Sequence, residues 1–142
     1  MPLMNFNDGK YSGPSQNGKP EGYGRMVWTN GATFEGNWSI GLPDGTGTLT
    51  YADGTEYDGD WAAGLFSGYG TMSYADGSAH AGDWRNGLKN GYGFTTDTDG
   101  VVYEGVWANG FLHGTAYIRY PDGSVWESAW NNGVLVSKKP TG

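Results

Sequence analysis

Six carboxylates, Glu35, Asp58, Asp60, Asp83, Glu104 and Glu127, fall at alternate positions in short stretches that resemble one another. Two carboxylates about 5 to 9 Å apart can hydrolyse a glycosidic bond, one as acid and the other as base or nucleophile. Asp60 and Asp83 are a pair that neighbouring stretches can supply. Against this stands a plainer reading, because a sheet facing water carries charge on its solvated side. His80 and His113 can hold zinc only together with two carboxylates, since the chain has no cysteine, and they occupy different places in their stretches. Ser128 has no His or Asp at the spacing of a nucleophile motif. The aspartates of the Asp-Gly pairs, such as Asp53 and Asp76, suit turns because their side chains bond nearby backbone. The expectation is no catalytic residue, no metal and no cofactor.

What positions these residues is a repeat. FEGNWSIGLPDGTGTLTYADGTE and YDGDWAAGLFSGYGTMSYADGSA follow one another, and the unit restarts at Tyr11, Phe34, Tyr57, His80, Tyr103 and Trp126, every 23 residues without insertion or loss. The third position is Gly36, Gly59, Gly82 and Gly105, then Ser128; the fifth is Ser15, then Trp38, Trp61, Trp84, Trp107 and Trp130. Within a unit the period is two. Tyr57, Gly59 and Trp61 share one strand face and Asp58 and Asp60 the other. Gly70, Met72 and Tyr74 alternate with Thr71 and Ser73. Each unit thus offers two strands joined around Gly64 to Gly68, and Asp76-Gly77 turns into the next. No window has a helical apolar period. Phe34, Trp38 and Leu42 read as stacking positions. Gly59 and Gly70 read as bare backbone beneath a Trp, where a side chain clashes. The expected fold is all-β: an elongated single-layer meander of stacked antiparallel β-hairpins with a 23-residue repeat. Ten strands at about 4.8 Å give roughly 50 Å of length.

Composition narrows the function classes. Of 142 residues 27 are glycine, yet seven Trp and ten Tyr are available to bury, which disordered glycine-rich chains lack. The glycines do not recur every third residue, so this is not collagen. A formal net charge of −7 disfavours nucleic acid and anionic membranes. MPLMNFNDGKYSG does not read as a signal peptide, no apolar run approaches the ~20 residues of a membrane span, and the default expectation is a cytoplasmic protein.

The motif Tyr57-x-Gly59-x-Trp61 followed by Gly64, Leu65, Gly68, Tyr69 and Gly70 resembles the MORN (membrane occupation and recognition nexus) repeat. Phe34, Gly36, Trp38, Gly41, Leu42, Gly45 and Gly47 match it too, as do Tyr103, Gly105, Trp107, Gly110, Phe111 and Gly114. The resemblance implies a twisted array of antiparallel hairpins and roles as scaffold, protein-binding or oligomerisation module; no catalytic residue belongs to it. The chain divides into an N-terminal cap and partial repeat (1–10), five repeats (11–125), and a truncated sixth repeat with a C-terminal cap (126–142). Met1, Leu3, Met4 and Phe6 are candidates to cap the first unit. Structural roles fall to Trp38, Trp61, Trp84, Trp107, Gly36, Gly59, Gly82 and Gly105. Partner binding falls to Tyr51, Tyr74 and Tyr120, which share one position that Asp97 interrupts, and to Val134, Leu135 and Val136 near the C-terminus. The leading reading is a noncatalytic scaffold or protein-interaction module whose partner is another protein or a second copy. A membrane-surface or phospholipid-binding module and a glycan-acting enzyme are the alternatives.

Overall fold

A computed structural model describes residues 8–142. The strands are β1 (Gly9–Ser12), β2 (Ser15–Gln16), β3 (Lys19–Pro20), β4 (Gly22–Trp28), β5 (Thr33–Ser39), β6 (Leu42–Thr50), β7 (Glu56–Ala62), β8 (Leu65–Ser73), β9 (Ala79–Arg85), β10 (Leu88–Thr96), β11 (Val102–Ala108), β12 (Phe111–Arg119), β13 (Val125–Asn131) and β14 (Val134–Pro140). Strands β2 and β3 form a small hairpin of their own; the other twelve make one antiparallel sheet in the order β1, β4 and then β5 through β14. From β4 onward each strand pairs with its neighbours in sequence, β1 pairs with β4 across the small hairpin, and the sheet does not close. The fold is the expected all-β single-layer meander. It has twelve strands rather than ten because the sixth unit also supplies a pair, β13 and β14. The proposed cap residues Met1, Leu3, Met4 and Phe6 lie outside the described residues.

The junction inside each unit is shorter than expected. It is two residues, Ala63 and Gly64, and β8 begins at Leu65, so Gly68 lies within a strand. Both turn residues have positive φ, 49° and 85°, the signature of the tight hairpin turn whose twist matches that of the strands. In four of the six units the first turn residue is Asn: Asn17, Asn86, Asn109 and Asn132. The Asp-Gly pairs make the wider turns between units, where Gly54 N–H donates to Tyr51 O at 3.0 Å and Asp53 Oδ1 accepts from Thr55 N–H at 2.9 Å.

The tight turn fixes the register, and the register corrects one core assignment. Ala62 pairs with Leu65 and Trp61 with Phe66. In unit two Ser39 therefore faces Leu42 while Trp38 faces Pro43. Leu42 points outward and is exposed, and Pro43 takes the buried place expected for it. Beyond the turn each pair carries a bulge, with Gly59 opposite Gly70 but Trp61 opposite Phe66.

The core is one face of this sheet. Rings at the first and fifth positions meet edge to face along the array: Phe34 touches Trp38 and Trp61 at 5.1 and 5.0 Å between centroids, Tyr57 touches Trp61 and Trp84 at 5.3 and 5.5 Å, and His80 touches Trp84 and Trp107 at 5.4 and 4.9 Å. Such pairs contribute about 0.5–1.5 kcal/mol each beyond the burial of their area. The bare backbone of Gly70 lies beneath the Tyr57 phenol, not beneath a Trp: a Cβ there would overlap the Tyr57 ring and hydroxyl. At Gly59 it would overlap the backbone of Gly70 across the pair. The glycine columns thus serve the first-position ring and the close approach of strands.

Candidate functional site: the aromatic face and its fourth unit

Every Trp of the ladder is anchored the same way until the last. Trp38 Nε1 donates to Gly24 O, Trp61 to Gly47 O, Trp84 to Gly70 O and Trp107 to Gly93 O, at 3.0–3.1 Å. The acceptor is always the fourteenth-position carbonyl of the preceding unit. The carbonyl is reached because the indole crosses onto the neighbouring hairpin, so one bond both satisfies a buried donor and ties unit to unit. In the sixth unit Ser128 stands in the glycine column. Trp130 Nε1 donates to Ser128 Oγ at 2.8 Å, and that hydroxyl donates to Ala116 O at 2.7 Å. Ser128 is a relay in the scaffold.

The fourth unit departs from the others at four inward positions. His80 stands where others have Tyr, Phe or Trp, Lys89 where others have Pro43, Phe66, Leu112 and Leu135, Thr95 where others have Met26, Leu49, Met72 and Ile118, and Asp97 in the line of Trp28, Tyr51, Tyr74 and Tyr120. His80 is fully buried. Its Nδ1 lies 2.6 Å from Thr95 Oγ1, and its Nε2 has no hydrogen-bond partner among the described residues. Burial, with the nearby Lys89 charge second, holds the imidazole pKa down at about 3. Lys89 Nζ lies 5.7 Å from the Tyr74 ring centre and 5.0 Å from that of Trp107, and burial lowers its pKa. Asp97 Oδ1 accepts from the N–H groups of Asp99 and Val101. The sequence reading marked Asp97 as a break in its column but missed Lys89 and Thr95; comparing each column across all units finds both.

Of the residues assigned to partner binding, Tyr51 and Tyr74 are half-buried against the core, with their phenols raised by burial, that of Tyr51 to about 12. Tyr120 carries a second lysine stack: Lys138 Nζ lies 5.5 Å from its ring centre, 5.0 Å from that of Trp126, and donates to Tyr120 OH at 3.0 Å. Lys138 reaches this face through a change of register. In β11 and β12 Gly105 pairs with Ala116, but in β13 and β14 Ser128 pairs with Lys138, one residue earlier in the unit. A one-residue slip reverses which side chains face the core. Val134, Leu135 and Val136 are on β14, away from the three tyrosines, at the edge of the sheet, and all three are exposed.

The carboxylates lie on the opposite face. Asp58 Oδ1 accepts from Thr48 Oγ1 at 3.0 Å, Asp60 Oδ2 from Tyr69 N–H at 3.2 Å, and Glu35 Oε1 from Tyr23 OH at 3.3 Å. Asp60 and Asp83 are two strands apart, with Tyr69 of β8 opposite Asp83 between them. Glu104 accepts from Tyr92 OH and Arg119, which hold its carboxyl below the usual range. His113 Nδ1 accepts from Asn132 N–H at 3.2 Å, anchoring the next tight turn. Among the described residues no three His, Cys, Asp or Glu side chains gather as a metal-ligand set, and no helix is long and apolar enough to cross a membrane.

No curated protein matches the chain. Among solved structures it is similar to the TCP10 domain of Danio rerio CPAP in complex with a peptide of Danio rerio STIL, at 16% identity and a TM-score of 0.49, over 84% of this chain and 64% of that one. It is also similar to the SAS-4 (dCPAP) TCP domain in complex with a proline-rich motif of Ana2 (dSTIL) of Drosophila melanogaster, at 16% identity and a TM-score of 0.45, over 85% of this chain and 72% of that one. The chain therefore spans 64% of the length of the first. The sequence model of the MORN repeat family matches five consecutive segments, 11–33, 34–56, 57–79, 80–102 and 103–125. These segments cover most of the chain, in the phase set by the Trp ladder, and the chain belongs to the MORN repeat family.

Proposed function

We propose that the chain is a noncatalytic protein-interaction module that takes a partner segment along its aromatic face. The observation that carries this is the half-buried ammonium of Lys89, held between Tyr74 and Trp107 on a face otherwise lined by Tyr51, Tyr74 and Tyr120. No carboxylate pairs with Lys89 among the described residues, and burial of an unpaired lysine costs free energy, which its lowered pKa reflects. A partner carboxylate seated there, with aromatic, proline or aliphatic groups along the tyrosine edges, recovers that cost. Tyrosine edges suit such contacts because they supply area with few rotors to freeze. The carboxylate row does not offer glycoside chemistry, since Glu35, Asp58, Asp60 and Glu104 each bond a different neighbour rather than one another. Val134, Leu135 and Val136 form a second contact region at the edge strand β14.

The test is affinity capture from the source cell with the parent chain and with Lys89→Met combined with Tyr74→Thr and Tyr120→Thr. The reading expects a discrete protein that the parent retains and the triple variant loses. A captured set indifferent to the substitutions, hydrolysis of a glycan panel by the purified chain, or flotation with liposomes that these substitutions leave intact, each overturns it.

A further inference from the structure

The face opposite the Trp ladder changes character along the array. At the second position units two and three have Glu35 and Asp58, and unit four has Ala81. At the fourth position Asn37, Asp60 and Asp83 give way to Val106. At the fifteenth, Thr48 and Thr71 give way to Phe94 and Tyr117. These replacements meet in space. Phe94 pairs with Ala81 on β9 and with Glu104 on β11, Tyr92 pairs with Val106, and Glu104 pairs with Tyr117 on β12. Phe94 is 41% exposed, Val106 52%, Tyr92 55% and Tyr117 42%. The patch spans β9 to β12, about 14 Å at the usual strand spacing.

Two features make it a docking surface rather than scattered apolar exposure. Its polar centre is already ordered: Tyr92 OH donates to Glu104 Oε2 at 2.5 Å, and Arg119 donates to Glu104 Oε1 at 3.1 Å. Side chains fixed before contact lose less entropy on binding, and Tyr and Arg are the residue types that dominate interface energetics. The strands next to it on the N-terminal side are predominantly acidic. On the outward face of β7 and β9, toward the N-terminus, stand Asp58, Asp60 and Asp83, with Arg85 at the turn end of β9; Arg25 lies farther off on β4, opposite Glu35.

We infer that this face docks a basic–apolar segment of a partner protein, laid across β7 to β12. Its Lys and Arg side chains sit over Asp58, Asp60 and Asp83, and its aliphatic or aromatic side chains over Phe94, Val106 and Tyr117. A second copy is the poorer occupant. Aligned in parallel it brings carboxylates against carboxylates; reversed, it buries them on apolar side chains, and each costs free energy. The net charge of −7 points the same way. This surface is distinct from the aromatic face.

The test is an amide chemical-shift titration of the isotope-labelled chain with a synthetic peptide, Lys-Arg-Lys-Gly-Leu-Phe-Leu, and with a control in which Glu replaces the three basic residues. Shifts confined to β7–β12 are expected, with weaker binding at high salt and none by the control. Phe94→Thr with Val106→Asp should weaken binding about tenfold, as loss of a central contact does. Asp58→Asn, Asp60→Asn and Asp83→Asn together should remove the salt dependence. Thr71 and Asp60 already occupy the two substituted positions in unit three, so the first variant should fold; its melting curve checks this. A flat titration, binding unchanged in the folded first variant, or equal binding of the acidic control overturns the inference. Shifts on the aromatic face, lost with Tyr74→Thr, overturn it while leaving the proposed function standing. A concentration-dependent dimer that Phe94→Thr with Val106→Asp abolishes assigns the patch to self-association, which also overturns it.

Discussion

His80 and Thr95 face each other across β9 and β10 with Nδ1 2.6 Å from Oγ1, in the columns where unit two pairs Phe34 with Leu49 and unit three pairs Tyr57 with Met72. The fourth unit thus exchanges an apolar pair for a polar one and leaves His80 Nε2 without a partner among the described residues. A buried unpaired polar atom costs about 1–3 kcal/mol. The double variant His80→Phe with Thr95→Leu, which copies unit two, should therefore raise stability by about 1–2 kcal/mol, read from urea unfolding.

The same pair gives a pH dependence. The folded pKa of His80, about 3, lies below the 6.5 of a free imidazole, so the unfolded chain takes up the proton first as pH falls. Its contribution is undiminished above about 6.5 and declines toward 3, by up to about 1.4 kcal/mol per pH unit. The double variant should melt with a shallower acid dependence through this window. Parallel curves for the two proteins would show that His80 takes up its proton equally in the folded and unfolded states, and that burial does not lower its pKa.

Ile40 occupies the first turn position with φ 52° and is 71% exposed. A β-branched residue is poorly suited to the left-handed region, which costs an L-residue roughly 1–2 kcal/mol and which Asn tolerates best. Four sister turns have Asn there. Ile40→Asn should stabilise the chain by about 1 kcal/mol, visible as a higher melting temperature, with no change in the sheet by circular dichroism. A loss of stability would mean that Ile40 packs usefully against the small β2–β3 hairpin.

These cases show what the sequence made legible. The phase of Trp38, Trp61, Trp84 and Trp107 revealed the unit, the strands and the inward ring ladder, because each unit repeats the same local chemistry. The register was not legible while the junction was placed at Gly64 to Gly68. Once the turn is narrowed to Ala63-Gly64, Trp61 must face Phe66, and Leu42 must leave the core for Pro43. The Asn-Gly pairs at 86–87, 109–110 and 132–133 carried that signal. The site was less legible: Tyr51, Tyr74 and Tyr120 do share the aromatic face, but Lys89 and Lys138 acquire meaning only from ring geometry and, for Lys138, from a slip that no period reports.

At the last Trp the anchor depends on a hydroxyl. Ser128→Ala removes the relay between Trp130 Nε1 and Ala116 O and should cost about 1–2 kcal/mol. Ser128→Gly with Ala116→Gly restores the arrangement of the other units, in which the indole reaches the carbonyl directly, and should recover most of that loss. If the single and double variants are equally destabilised, the direct bond does not re-form and the sixth unit is held by other contacts.

Strand β14 is an open edge that its own sequence blunts. Thr141 N–H donates inward to Val125 O at 3.0 Å, so the alternation of the strand turns the nitrogen of Pro140 outward, where it offers no donor. Lys138, turned by the slip onto Tyr120 and Trp126, occupies the place held by Gly47, Gly70, Gly93 and Ala116 in earlier units. Val134 and Val136, 65% and 67% exposed, remain as an unblunted stretch. Lys138→Thr with Pro140→Val should therefore increase self-association relative to the parent, measured as concentration-dependent mass in light scattering, because it lengthens a flat apolar edge. Adding Val134→Thr, Leu135→Thr and Val136→Thr should reverse the increase. If mass stays unchanged in the first variant, the twist of the sheet already protects the edge; if the added threonines do not reverse it, the new contact lies elsewhere than β14.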